Sequence, residues 1–188
     1  MGSLVTTEKP LPAAQEQGIE DRAQYLTFRL GAELYAIGIL NIREIMEYGA
    51  VTTVPMMPAF IGGVINVRGA VVPVIDLLAR FGKGASQVTK RTCIVILDLE
   101  AEGETQSIGV MVDSVSEVVE ILAADIEPAP AFGAGIRADF IRGMGKIAGK
   151  FVVILDVGRV LSVEEISTLA QASGHAHAAA AFGSAAAA

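Results

Sequence analysis

The sequence predicts an all-β fold made of two copies of one small unit, and three observations carry that expectation. First, Ile37-Gly38-Ile39-Leu40 recurs as Ile108-Gly109-Val110-Met111, and Glu44-Ile45-Met46-Glu47 as Glu117-Val118-Val119-Glu120. Phe60-Ile61 with Gly63 then recurs as Phe140-Ile141 with Gly143, and Val72-Pro73-Val74-Ile75-Asp76 as Val152-Val153-Ile154-Leu155-Asp156. Second, each copy holds about five short apolar, β-branched runs separated by Gly, Pro and Asn, the pattern of a small barrel or sandwich rather than of alternating strands and helices. Third, helical periodicity is scarce. The repeat units run over 24–82 and 92–161, with a short insertion around Pro130-Ala131-Phe132-Gly133-Ala134-Gly135, and exchange of strands between the copies is left open.

In chain order, residues 1–21 mix Thr, Glu, Lys, Pro, Gln and Gly without periodicity, a disordered leader. Tyr25-Leu26-Thr27-Phe28-Arg29-Leu30 alternates as a strand with one wet face, and Thr92-Cys93-Ile94-Val95-Ile96-Leu97 opens the second copy in the same way. Ile39, Ile42 and Ile45 lie three apart, the spacing of the buried face of a helical turn. Gly62-Gly63-Val64-Ile65, Asn66-Val67-Arg68-Gly69 and Ala70 to Leu77 read as strand, exposed turn and strand, with Arg68 presented at the tip. Pro73 cannot donate to a ladder, so the second strand is expected at an edge or at a bulge. Asp76 to Gly82 reads as one helical turn with an Asp cap and a Gly stop, and Asp156 to Leu161 is its counterpart. Ser162-Val163-Glu164-Glu165 is a capping box for a C-terminal helix with an apolar stripe at Val163, Ile166, Leu169 and Ala170. Residues 173–188 form a low-complexity, alanine-rich tail. At ~70 residues each copy buries too little surface to stand alone, so the two are expected to share a core.

Composition narrows the function. The chain of 188 residues is 52% hydrophobic, more than a core of this size needs, which points to partner-facing apolar surface. A net charge of −7 leaves no basic stripe to displace counterions from nucleic acid. No apolar run approaches the ~20 residues that cross a bilayer, so direct membrane insertion is not expected, and neither is secretion. The lone Cys93 precludes an intrachain disulfide and is expected to be buried packing.

Chemistry is sparse as well. Both histidines, His175 and His177, fall in the tail, where two ligands make a poor metal site, so no metal, cofactor or imidazole base is expected. Gly133-Ala134-Gly135-Ile136-Arg137-Ala138 has dinucleotide-fingerprint spacing but follows Pro128-Ala129-Pro130 instead of a strand. Gly143-Met144-Gly145-Lys146 lacks the spacing and hydroxyl of a phosphate loop. Asp76 and Asp156 are accounted for as helix caps. The protein is therefore read as a binding module without catalytic residues.

Several segments together resemble the CheW-like domain of bacterial chemotaxis coupling proteins: Gln24 to Gly31, Tyr35-Ala36-Ile37, Ile42-Arg43-Glu44-Ile45, Pro58 to Gly69, Val72 to Leu77, and Phe140-Ile141-Arg142-Gly143. The likeness spans residues 22–172. It implies two SH3-like five-stranded β-barrels sharing a core, plus a C-terminal helix, and a cytoplasmic, non-enzymatic adaptor recruited to receptor arrays at the inner membrane. The implied partners are the regulatory domain of the histidine kinase CheA, the cytoplasmic tips of chemoreceptors, and further copies of the chain in array rings. Carried over by resemblance, the receptor groove involves Ile39, Glu44 and Ile45, while Ile42, Gly63 and Arg68 belong to partner-binding surfaces of the first barrel. Each has a structural alternative: core packing for the isoleucines, a surface ion pair with Arg43 or another nearby cation for Glu44, backbone shape for Gly63, and for Arg68 an intramolecular pairing with Glu44 or Asp76. A coupler of a pilus or other chemosensory-like pathway, and a self-associating structural module, are the alternatives in function.

Overall fold

The computed structural model describes residues 21–101, 103–130 and 136–161. Residues 1–20 of the leader, the Ser162 capping box with its helix, both histidines, the tail and Gly133-Ala134-Gly135 lie outside the described residues. The first copy supplies β1 (Arg22–Leu30), β2 (Glu33–Gly38), a 3-10 turn (Ile39–Asn41), β3 (Ile42–Glu47), β4 (Ile61–Val67), β5 (Ala70–Asp76) and the helical turn α1 (Leu77–Arg80). The second supplies β6 (Cys93–Ala101), β7 (Glu104–Val112), β8 (Ser114–Leu122), β9 (Ile126–Glu127), β10 (Ile141–Ile147), β11 (Lys150–Leu155) and α2 (Val157–Leu161).

These strands form two sheets, ordered β8-β1-β2-β11-β10-β9 and β3-β6-β7-β5-β4. The β1–β2 hairpin of the first copy thus lies between β8 and β11 of the second, and β6–β7 lies between β3 and β5 of the first. In each sheet one join between the copies is antiparallel, β1 with β8 and β3 with β6, and the other is parallel, with Val153 beside Tyr35 and Val74 beside Gly109.

Side-chain alternation explains why neither copy holds its sheet alone. Along β6, Ile94 and Ile96 enter a cluster with Ile65, Val67, Val72, Val74 and Met111, while Val95 and Leu97 point into a larger cluster lying between the sheets. Along β11, Val152 and Ile154 join Tyr25, Ala36 and Ile121, while Leu155 turns to the same central cluster. Both faces of these strands are covered, hence the unbroken apolar runs in the sequence. A column of rings runs through the centre from Phe28 to Tyr35, Phe81 and Phe140, with successive centroids 6.2, 5.7 and 6.1 Å apart. Each side chain fully buried there contributes about 1.5–3 kcal/mol of transfer free energy.

The duplication reaches the hydrogen bonds. Asp76 N–H donates to Phe60 O and Asp156 N–H to Phe140 O, both at 2.8 Å. Asp76 is the N-cap of α1: its Oδ1 accepts from Leu78 N–H and Ala79 N–H, and Ser86 donates its hydroxyl to Oδ1 and its N–H to Oδ2. Arg80, at the end of α1, donates from Nε to Val160 O of α2 at 2.9 Å, its guanidinium 4.7 Å from the Phe60 ring centroid and 5.1 Å from that of Phe140.

Four expectations need correction. Of Thr27 and Arg29, the two residues expected on a wet face of β1, only Arg29 is exposed, because β1 is an interior strand. Thr27 is buried opposite an irregularity in β8, where its hydroxyl donates to Glu117 O and accepts from Glu117 N–H. β5 is not an edge strand, since it lies between β4 and β7; its ladder to β7 begins at Val74, one residue past Pro73, and the register shift falls in β4 between Ile61 and Gly63. Cys93 is partly buried rather than buried, at the first position of β6. Ile39, Ile42 and Ile45 do not share a helical face: Ile39 is in the 3-10 turn and the other two are in β3.

Candidate functional site

The site is built on β3 and the tip of the β4–β5 hairpin. Arg68 and Gly69 are its two turn residues, with φ of 52° and 88°, the pattern of a tight type I′ turn that follows the twist of the strands. Asn66 fixes that turn by accepting from Gly69 N–H at its side-chain oxygen, 2.9 Å. A non-glycine residue at positive φ is unusual, and here it directs the Arg68 side chain away from the hairpin. Its Nη2 reaches Glu44 Oε2 on β3 at 3.4 Å.

The pair is unequal. The Arg68 side chain is 75% exposed and that of Glu44 is 25% exposed. Glu44 Oε1 is buried and has no hydrogen-bond partner. An exposed pair of this length contributes ~0–1 kcal/mol, too little to be the fold's reason for placing a carboxylate against the core.

Away from the tip, near the start of β4, Gly63 sits at φ 143° in the irregular part of the strand. There Val64 exchanges two hydrogen bonds with Thr52, 2.8 and 2.9 Å. A Cβ at Gly63 would lie 2.2 Å from Thr52 O, so backbone approach alone requires glycine. Ile39 and Ile42 are half-buried against the central cluster. Ile45 is on the other face of β3 from Glu44 and is 44% exposed. The structure therefore joins Glu44 to Arg68, places Gly63 within the hairpin's own first strand away from the tip, and splits the three isoleucines between core packing and surface.

Two neighbours were not read from the sequence. Leu40, next to Ile39 in the 3-10 turn, is 96% exposed, whereas its repeat counterpart Met111 is buried. Comparison of the copies carries the signal: β7 continues through Met111, but β2 ends at Gly38 and the turn swings Leu40 outward. Arg43, on the exposed face of β3, donates to Ser107 Oγ at 3.2 Å and lies 3.9 Å from Asp98.

Among the described residues no group of three His, Cys, Asp or Glu is placed to hold a metal ion, and no helix is long and apolar enough to cross a membrane. What the surface offers is a directional cation paired with a half-buried carboxylate, and exposed apolar side chains.

Residues 24–165 match the family described as CheW-like domain. The chain is 35% identical over 144 residues to a chemotaxis protein CheW of Klebsiella aerogenes, covering 77% of this chain and 84% of that protein. It is 33% identical over 148 residues to a chemotaxis protein CheW of Helicobacter pylori, covering 79% and 87% respectively. The crystal structure of a CheW scaffolding protein from Thermoanaerobacter tengcongensis superposes with a TM-score of 0.65 at 32% identity, covering 82% of this chain and 91% of that one.

Proposed function

The chain belongs to the CheW-like domain family, and from that premise we propose that it is a cytoplasmic, non-enzymatic adaptor that couples chemoreceptors to the histidine kinase CheA at receptor arrays. The observation that carries the reading is the Glu44–Arg68 surface: a guanidinium 75% exposed at a hairpin tip, over a carboxylate that keeps one buried oxygen unpaired. Arginine forms paired, directional hydrogen bonds with carboxylates and backbone carbonyls, so a partner can take it over from its weak internal contact at little cost. Leu40 in the 3-10 turn before β3, and Ile45 on the face of β3 opposite Glu44, supply exposed apolar area of the kind that partners cover.

Coupling follows from the shared core. Both sheets pack on one central cluster, so a partner that shifts one sheet changes the packing the other depends on. Couplings of about 1–3 kcal/mol between such sites bias a kinase by roughly 5- to 150-fold.

The test is reconstitution. Receptor-containing membranes and CheA are mixed with and without the protein, and both kinase sedimentation and autophosphorylation are measured. Addition of the protein is expected to bring CheA into the pellet and to raise its activity, and Arg68→Ala or Glu44→Ala to weaken both while leaving the circular dichroism spectrum unchanged. Kinase that stays in the supernatant with the unmodified protein would overturn the adaptor reading, and unchanged recruitment by both variants would remove these residues from the site.

A further inference from the structure

The connection between β3 and β4 is pinned at both ends. Thr52 exchanges two hydrogen bonds with Val64, and further on Ile61 N–H donates to Pro58 O at 2.9 Å while Phe60 O accepts from Asp76 N–H. Between these anchors the chain turns at Pro55 and Met56. Proline presets the first central residue of such a turn, and the second, at φ of 64°, is Met56. That second place usually falls to glycine or asparagine, because a Cβ there crowds the backbone. The other two non-glycine residues at positive φ, Arg68 and Ala148, each precede a glycine at the tip of a hairpin, and Met56 does neither.

The Met56 side chain is also fully exposed. Methionine is ordinarily a gap-filler of cores, and among the described residues the other methionines follow that habit. Met111 is buried, Met46 packs against the same cluster, and Met57 and Met144 are half-buried. Met56 thus forgoes burial and carries backbone strain at one and the same position. Strain that packing does not explain points to a use for the side chain. The duplication does not explain it either, since the matching stretch of the second copy, residues 123–140, contains no methionine and no cysteine.

We propose that Met56 is a reversible oxidation site that takes an oxygen atom from hydrogen peroxide. A lone pair of its sulfur attacks one peroxide oxygen, and an S–O bond forms as the O–O bond breaks. The transferred oxygen gives up its proton to the departing hydroxide, which leaves as water. The thioether is oxidised by two electrons to the sulfoxide, and the peroxide is reduced. In the reverse direction a thiol-dependent sulfoxide reductase removes the oxygen as water while two thiols become a disulfide. Access selects the site, because peroxide has to reach the sulfur and only Met56, among the methionines of the described residues, is fully exposed. The product is a polar, chiral group in place of an apolar one, four residues from the Thr52 carbonyl that presses on Gly63. The surface beside the candidate site changes its chemistry while the core is left alone. The inference does not depend on the adaptor function.

The full chain is exposed to hydrogen peroxide for increasing times, quenched with catalase, digested with trypsin and sequenced by tandem mass spectrometry. Met46, Met56 and Met57 share the tryptic peptide 44–68, so fragmentation assigns the added oxygen within one spectrum. Met56 sulfoxide is expected to form about tenfold or more faster than Met111 sulfoxide, and about threefold or more faster than those of Met46, Met57 and Met144. In denaturing urea the five rates should converge, which ties the preference to the fold. Protein oxidised at Met56 should keep its urea midpoint, and sulfoxide reductases for both epimers with dithiothreitol should restore the thioether in the folded chain. Earlier or equal oxidation of any of the other four in the native protein overturns the proposal, as does a preference that persists in urea, a lowered midpoint, or a sulfoxide that the reductases leave in place.

Discussion

Replacing Gly63 by Ala tests the physical account of the candidate site most directly. A Cβ there would stand 2.2 Å from Thr52 O and 2.8 Å from Thr52 C, and φ is 143°. The first two are backbone atoms, so no rotamer change relieves the overlap, and the Thr52–Val64 bridge has to open. Two hydrogen bonds of ~1 kcal/mol each are lost, and residual backbone strain adds about 1–2 kcal/mol, for a total of about 3–4 kcal/mol. With a urea slope of about 1–3 kcal/mol/M, the unfolding midpoint falls by roughly 1–4 M at unchanged slope. Gly69→Ala is the control, because Gly69 shares positive φ (88°) but has nothing within 4 Å of a Cβ; its cost is about 1 kcal/mol. Equal midpoints for the two variants would show that close approach of Thr52 does not dictate the glycine, and the shape argument for Gly63 would fail.

The remaining predictions concern the two helical turns and the polar cluster at Glu33. Arg80→Met removes the Nε bond to Val160 O and the cation from both phenylalanine rings, and is expected to cost about 2 kcal/mol or more in thermal or urea unfolding. Asp76→Ala withdraws the acceptors for two helix N–H groups and for Ser86, an expected loss of about 2–4 kcal/mol; Asp156→Ala, whose side chain accepts from Arg159 N–H alone, should lose at most about 1 kcal/mol. Glu33 accepts hydrogen bonds from Lys83 Nζ and Tyr35 Oη, and these, Lys83 first, hold its carboxyl below the ordinary value of 4.5. A depressed folded value stabilises the fold above the ordinary value, and that stability is lost as pH falls through the folded one. Lys83→Met should therefore flatten the stability profile below about pH 4.5 and lower stability slightly at neutral pH.

The duplication was legible because the copies keep apolar residues at matched positions and the same Gly and Asp at their turns and caps. The β4–β5 hairpin and the Asp76 cap could be read from local chemistry alone, since Asn66, Gly69 and Asp76 act on backbone within three residues of themselves. What local reading missed depends on neighbours distant in sequence. Thr27 seemed solvent-facing because its neighbours alternate, yet a strand ninety residues away supplies the carbonyl and N–H that its hydroxyl bonds. Pro73 seemed to demand an edge because its strand's second neighbour, β7, comes from the other copy and begins pairing one residue later. The isoleucine triplet fits helical spacing by coincidence, with a 3-10 turn and an irregularity between Ile42 and Glu44 shifting the phase of a strand.

Exchange of strands also explains how one duplicated unit can carry unlike surfaces. Positions that close the central cluster are chemically alike in both copies, Ile75 and Leu155, Leu77 and Val157, Phe81 and Leu161, because each is packed by residues of the other copy and tolerates little change in volume. Positions at the hairpin ends face no such restraint and have diverged: Arg68 against Ala148, Asn66 against Lys146, Val71 against Phe151. Glu44 has a counterpart in Glu117, but Glu117 is exposed and has no arginine at the equivalent tip to meet it. A fold held together by matched interiors thus carries chemically unlike surfaces at its two hairpin ends.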